Sequence, residues 1–299
     1  MKAPDRRLRK ESKLVRVFPR KTTATPADDS AFYDGPPMWY AGSDDVHVSC
    51  TFTYDKPRAE FLAEQWHRAN YKVTVGGPAY DDRGDEFTPG RYLKPGYVIT
   101  SRGCNNKCWF CKVPKREGSI RELEIKDGYD LLDNNLLQCS EDHIRGVFEM
   151  LGKQDRRDRK GKKIGVSLTG GLEAAILQDW HVDLFASLKP KPEIIYFAYD
   201  TPQDLEPLIW AAKKMRAIGF NNQRVGCYVL MGWAKDTIDE AQRRLQTVVD
   251  LDMMPHAMVF EDQKQSKNPI WNDLQRNHTR PAITRRIHKG QFGRFLKQG

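Results

Sequence analysis

From Tyr97 to Phe260 the chain alternates short β-branched or aromatic runs with helical patterns, which restricts it to a parallel α/β arrangement. Strands are expected at residues 97–100, 129–132, 164–168, 194–198, 225–230 and 257–260. Helical spacing covers 141–151, 180–188, 202–218 and 237–250. Ser140, Asp179, Thr201 and Asp236 stand where N-caps belong, with Pro202 at a first helical position and Gly219 just past a helix end. Six strands with helices between them predict a parallel sheet or an incomplete barrel. In such folds ligands gather on the loops that leave the carboxyl ends of the strands.

A smaller region precedes this one. Residues 1–45 are rich in turn pieces such as Asp34-Gly35-Pro36-Pro37 and are expected to form an irregular arm. Residues 46–53 alternate as a strand, Pro57 opens a helix over 58–70, and 71–75 make a second strand ended by Gly76-Gly77-Pro78. The helix carries Phe61, Leu62, Gln65 and Trp66 at helical spacing. This is one βαβ unit, and the polar stretch 81–96 is expected to be a linker. The expected division is therefore 1–95, an arm with a small βαβ region, and 96–299, the larger α/β region with a basic C-terminal extension.

With 39% hydrophobic residues over 299 positions, the chain can bury a sizeable core. No apolar run approaches the roughly 20 residues needed to span a bilayer, so no membrane partner is expected. The basic start lacks the apolar stretch of a secretory signal. The expected location is the reducing cytoplasm, where six Cys serve as ligands or buried thiols and not as disulfides. The net charge of +9 is unevenly placed. Residues 1–21 hold nine Lys/Arg against two acids, 156–163 hold six against one, and nothing after Asp273 is acidic. These patches suit either solvated surface or a nucleic-acid partner gripped through its phosphates. No recognisable nucleic-acid-binding module accompanies them.

The chemistry is concentrated in Gly103-Cys104-Asn105-Asn106-Lys107-Cys108-Trp109-Phe110-Cys111. Three thiolates on one short loop can wrap a corner of a 4Fe–4S cluster, which ordinarily takes four ligands. No fourth Cys or His stands nearby, so one iron would be left open. A structural zinc site normally needs four ligands, usually from paired Cys elements, and the second pair is missing.

Cys-x3-Cys-x2-Cys with an aromatic residue before the last Cys resembles the signature of the radical SAM superfamily. The resemblance covers roughly residues 96–265, though only the cysteine loop is specific. It implies a partial (β/α)6 barrel, a 4Fe–4S cluster on Cys104, Cys108 and Cys111, and S-adenosylmethionine chelated to the open iron. It also implies a one-electron donor of the flavodoxin or ferredoxin type, and a 5′-deoxyadenosyl radical that abstracts hydrogen from a substrate. Phe110 would take the adenine-contacting position.

The Gly-Gly-Glu-type segment often found after the second strand in that superfamily is absent. In its place stands Leu132-Asp133-Asn134-Asn135, where Asn134 or Asn135 could accept from an ammonium group or form only a polar turn. After the expected third strand come Thr169, Gly170, Gly171 and Glu173, which suit close approach of a ligand and capture of an amino or ribose group. Asp200 follows the fourth strand, and Met231-Gly232 the fifth. Residues 46–80 look like a truncated cobalamin-type domain, but the Asp-x-His-x-x-Gly segment that ligates cobalt is absent, so no cobalamin is expected. Cys50 and Cys227 read as buried hydrophobes, Cys139 as structural, and His181 as a core-edge residue. The alternative function is a non-enzymatic, zinc- or iron–sulfur-stabilised nucleic-acid-binding protein.

Overall fold

The computed structural model describes residues 14–38, 45–260 and 268–297. Most of the basic start therefore lies outside the described residues. Among the described residues, no helix is long and apolar enough to cross a membrane. The chain divides into two compact units. One comprises the described residues up to Tyr97 together with Lys115–Glu117, and the other Val98–Pro114 and the residues from Gly118 onward.

The first unit is a four-stranded parallel sheet built from β1 (Val15–Val17), β2 (Ala31–Phe32), β3 (Asp45–Ser49) and β4 (Lys72–Gly76), in the order β2-β1-β3-β4. The expected βαβ unit is present, with α1 (Lys56–Arg68) between β3 and β4. The expectation of an irregular arm over 1–45 is corrected, because β1 is an interior strand. A tripeptide is too short for periodicity to register, yet Val15 and Val17 are wholly buried against Val46, Val48, Leu62 and Trp66. Arg16 points the other way and donates to the carbonyls of Gly90 and Arg91 at 2.7 and 3.0 Å. Lys94 N–H donates to Ala24 O at 2.9 Å. The stretch 81–96 is thus tied into this unit and is not a free linker. On α1 the buried positions are Ala59, Leu62 and Trp66. Phe61, expected on the apolar face, is half exposed because it lies off that i, i+3, i+7 line.

The second unit holds a six-stranded parallel sheet: β5 (Tyr97–Val98), β8 (Asp130–Leu131), β9 (Ser167–Leu172), β10 (Ile194–Ala198), β11 (Val225–Met231) and β12 (Met254–Val259). Spatial order follows chain order, β5-β8-β9-β10-β11-β12, without reversal. The crossovers are α3 (Glu141–Gly152), α4 (Asp179–Ser187), α5 (Leu205–Ala217) and α6 (Ile238–Asp250). Ile195, Phe197, Cys227, Val229 and Ala257 are completely buried. The alternate residues Tyr196 and Tyr228 stack instead, with centroids 4.4 Å apart, and His256 meets both rings edge-on. Between β5 and β8 a two-stranded antiparallel ribbon, β6 (Ser101–Arg102) with β7 (Arg121–Glu122), pins both ends of the cysteine loop. The short helix α2 (Val113–Glu117) follows the last of the three Cys.

Three local expectations are corrected. The third strand begins at Ser167, so Gly170 and Gly171 lie inside it and not after it. Gln178, not Asp179, caps α4, sharing a reciprocal cap with His181. Thr237, not Asp236, caps α6 with Glu240. Asp236 instead has its carboxylate fully buried, accepting from Gly232 N–H at 2.7 Å and Arg244 at 2.8 Å. The basic C-terminal extension folds as α7 (Pro269–His278) and α8 (Pro281–Ile287), with Trp271 and Leu274 buried.

Candidate metal centre

The cysteine loop leaves the carboxyl end of β5 through Thr100 and Ser101, both wholly buried. Their donors converge on the carboxylate of Asp133, at the end of β8. Thr100 N–H donates at 2.6 Å, Thr100 Oγ1 at 2.6 Å and Ser101 Oγ at 2.7 Å. Burial pushes the Asp133 carboxyl up, and these donors oppose that shift. Gly103 follows at φ +86°, where a Cβ would sit 2.2 Å from Ser119 O, so the residue before Cys104 must be glycine. Gly103 N–H donates to Asn134 Oδ1 at 3.1 Å, and Cys104 N–H to Gly118 O at 3.1 Å.

The three thiols share one neighbourhood. Cys108 is exposed, and Cys104 and Cys111 are partly so. The Cys108 thiol is pushed up first by withdrawal of water, then by Cys111, Cys104, Asp200 and Asp204. Cys111 N–H donates to Cys108 O at 3.1 Å, which folds the Trp109-Phe110 turn between them. Among the described residues, no three His, Cys, Asp or Glu side chains are drawn tightly enough around one point to hold a single metal ion.

Behind Cys104 lies a polar network. Asn135 Nδ2 donates to Glu173 Oε2 at 2.7 Å and approaches Cys104 Sγ at 3.9 Å. Gln138 Nε2 donates to the same Glu173 oxygen at 2.9 Å and to Asn106 Oδ1 at 3.1 Å, while Gln138 Oε1 accepts from Asn105 N–H at 2.7 Å. Asn135 is buried, and its Oδ1 has no hydrogen-bond partner among the described residues. Gln138 was not expected as a site residue. Nothing in its local sequence marks it, since its role arises only where β8 and β9 lie side by side.

The structure thus brings Asn134, Asn135 and Glu173 to the cysteine loop. Gly170 has a structural duty beside them, because a Cβ there would lie 1.8 Å from Asp133 O. Gly171 sits at φ +98° next to open space, where β9 shifts register against β10. Thr169 offers its carbonyl to Tyr228 Oη at 2.8 Å. Asp200 follows β10 and accepts from Leu230 N–H at 2.9 Å; burial, with Asp204 nearby, pushes it up to about 6. Asp204, not Asp200, closes the reciprocal cap with Thr201.

An aromatic cluster at the same mouth was also missed. Trp109, 58% exposed, meets Phe110 at 5.4 Å, Trp233 at 6.0 Å and Phe260 at 5.4 Å between ring centroids. Arg244 lies 4.6 Å over Trp233. The cluster joins the loop after β5 to those after β11 and β12. Cys139 is pushed up to about 12 by burial, and Cys50 and Cys227 are buried, which fits structural thiols. No family model and no curated protein matches the chain.

Proposed function

We propose that the protein is a radical SAM enzyme. It would hold a 4Fe–4S cluster on Cys104, Cys108 and Cys111 and operate in a reducing cytoplasm with a flavodoxin- or ferredoxin-type donor. The observation that carries this reading is the confluence of three thiols on one short loop, folded by Cys111 N–H to Cys108 O and pinned at both ends by the β6–β7 ribbon at the carboxyl end of a parallel sheet. When bound, the cluster would pass one electron to S-adenosylmethionine, releasing methionine and a 5′-deoxyadenosyl radical that takes a hydrogen atom from the substrate.

The donor set fits these groups. Three thiolates suit iron–sulfur ligation, and a cluster spreads its ligands more widely than a single zinc ion does. Asn135 Oδ1 is a buried acceptor without a partner among the described residues, and it belongs to the same network as the Glu173 carboxylate, whose Oε2 takes two amides. A free acceptor next to a carboxylate matches an ammonium group, whose three N–H donors need partners once water is excluded. Phe110 and the Trp109 cluster offer an apolar wall to a purine ring.

The same reading takes the sheet as a partial (β/α)6 barrel. Strand order runs one way, and the loops from the first and last strands touch through Trp109 and Phe260. In a flat sheet β5 and β12 would stand about 24 Å apart, so curvature brings those loops together more readily than reach alone.

The test is anaerobic reconstitution with iron and sulfide, then dithionite and S-adenosylmethionine, with 5′-deoxyadenosine as the readout. The wild type should give a brown, oxygen-sensitive protein and 5′-deoxyadenosine, and Cys108→Ala neither. A protein that refuses iron and retains zinc would refute the proposal.

A further inference from the structure

Two of the three basic segments, 156–163 and the stretch after Asp273, lie more than a hundred residues apart, yet the second unit unites them on one edge. Residues 156–163 form a tight hairpin ahead of β9, closed by an Arg157–Lys163 bridge and by Asp158, which accepts the backbone N–H of Lys160 and Lys162 at 2.9 Å each. Gly165, on its return, packs on Lys191 O, just ahead of β10. Lys191 Nζ reaches Ile218 O at 2.5 Å, and Arg224, just ahead of β11, donates to Lys191 O at 3.1 Å. Ahead of β12, Asp252 holds Arg216 at 2.6 Å, and the turn carrying Lys289, Gly293 and Arg294 is fixed there by Gly293 N–H to Val249 O at 3.0 Å. The amino ends of β9, β10, β11 and β12 therefore form one continuous edge.

Charge along that edge is not balanced. Asp155 is taken by Arg157, Asp252 by Arg216 and Asn222, and Glu193 faces Arg224. Arg159, Lys160, Lys162, Lys163, Lys289 and Arg294 are exposed and make no ion pair among the described residues. The hairpin that carries four of them stands ahead of β9 and the turn that carries the other two stands ahead of β12, a spread that suits an extended polyanion and not a small one. The three strand spacings from β9 to β12 cover roughly 14 Å, the length over which one strand of duplex DNA presents about four phosphates.

We propose that this edge docks the phosphodiester backbone of a nucleic acid. It lies at the opposite ends of the strands from the cysteine loop, so docking and chemistry use separate faces. The inference does not rest on the radical SAM reading.

The test is fluorescence polarisation with a short fluorescein-labelled single-stranded RNA and a labelled DNA duplex, over a salt series, using the full chain and Cys108→Ala. Two neutralised variants are compared: Arg159→Gln with Lys160→Gln and Lys162→Gln, and Lys289→Gln with Arg294→Gln. Wild type and Cys108→Ala should bind alike, with log affinity falling linearly against log salt. The hairpin variant should bind about tenfold more weakly with a slope shallower by about 2 to 3, and the C-terminal variant with a slope shallower by about 1 to 2. Both should melt at the wild-type temperature, since none of the five side chains makes an ion pair among the described residues. No oligonucleotide binding, variants that bind like wild type, or binding only to anionic lipid vesicles would overturn the proposal.

Discussion

Asp133→Ala tests whether the cysteine loop is held by the exit from β8. The carboxylate is buried and receives one backbone N–H and two hydroxyls within 2.7 Å. Removing it strands three donors where water does not reach. Each unmade bond costs roughly 1–3 kcal/mol, and the hydroxyls can turn to other acceptors, so the loss should be about 3–5 kcal/mol. That is a large share of the roughly 5–15 kcal/mol that stabilises a domain. Asp133→Asn keeps one acceptor for Thr100 N–H and offers an amide that the hydroxyls can accept from, so its cost should be about 1–3 kcal/mol. Burial raises the Asp133 pKa above the ordinary carboxylate value. Its contribution to stability is therefore fully present below that ordinary value and is lost as pH rises through the raised one, so the Asn deficit should narrow from acid to neutral pH. Urea unfolding of the metal-free protein supplies the midpoints, with an unchanged slope showing that only stability moved. An Ala variant within about 1 kcal/mol of wild type, or an Asn variant worse than Ala, would refute this account of the anchor.

Three further outcomes are expected. Gly170→Ala should cost about 3 kcal/mol in urea unfolding, because its Cβ meets Asp133 O at 1.8 Å, whereas Gly171→Ala pays only for its φ of +98°, about 1 kcal/mol. Asp200, with a folded value of about 6 against 3.8, stabilises the protein below the ordinary value and loses that contribution as pH rises through 6. Asp200→Asn should thus gain on wild type between about pH 4 and 7, by about 3 kcal/mol at most, in urea midpoints across pH. His278 and His288 face each other at 3.0 Å between their Nε2 atoms, so one proton serves both. Burial lowers the His278 pKa, so its stabilisation is present above 6.5 and lost as pH falls; hydrogen-exchange protection factors over α7 and α8, corrected for the intrinsic rate, should fall in acid, and a pH-independent protection factor would count against it.

Much of the second unit was legible because its signals are local. Val225–Met231 is a long apolar run, Ser140 accepts from His143 N–H as an N-cap should, and Gly219 takes φ +82° where a helix stops. The first unit was less so. Val15–Val17 is a strand only because β2 and β3 flank it, and Arg16 between them disguises its burial with a charge. The N-caps at Asp179 and Asp236 were misplaced by one residue, since Asp is a good cap anywhere and the neighbouring Gln178 and Thr237 had reciprocal partners three residues on.

The site divides along the same physical line. Cysteine spacing is intrinsic to one loop, so Cys104, Cys108 and Cys111 could be picked out together. The side chains that hold the loop in place act across strands and have no local period. Asp133 serves Thr100 from β8, Gln138 ties Asn105 to Glu173 after β9, and Gly170 exists to let β9 close on Asp133. Trp109 belongs with these, since its partners come from β11 and β12. A substitution at any of them reaches the thiols through geometry alone. If the three Cys hold the proposed cluster, variants at these positions should lower iron uptake while leaving all three Cys in place, a pattern that separates positioning residues from ligands.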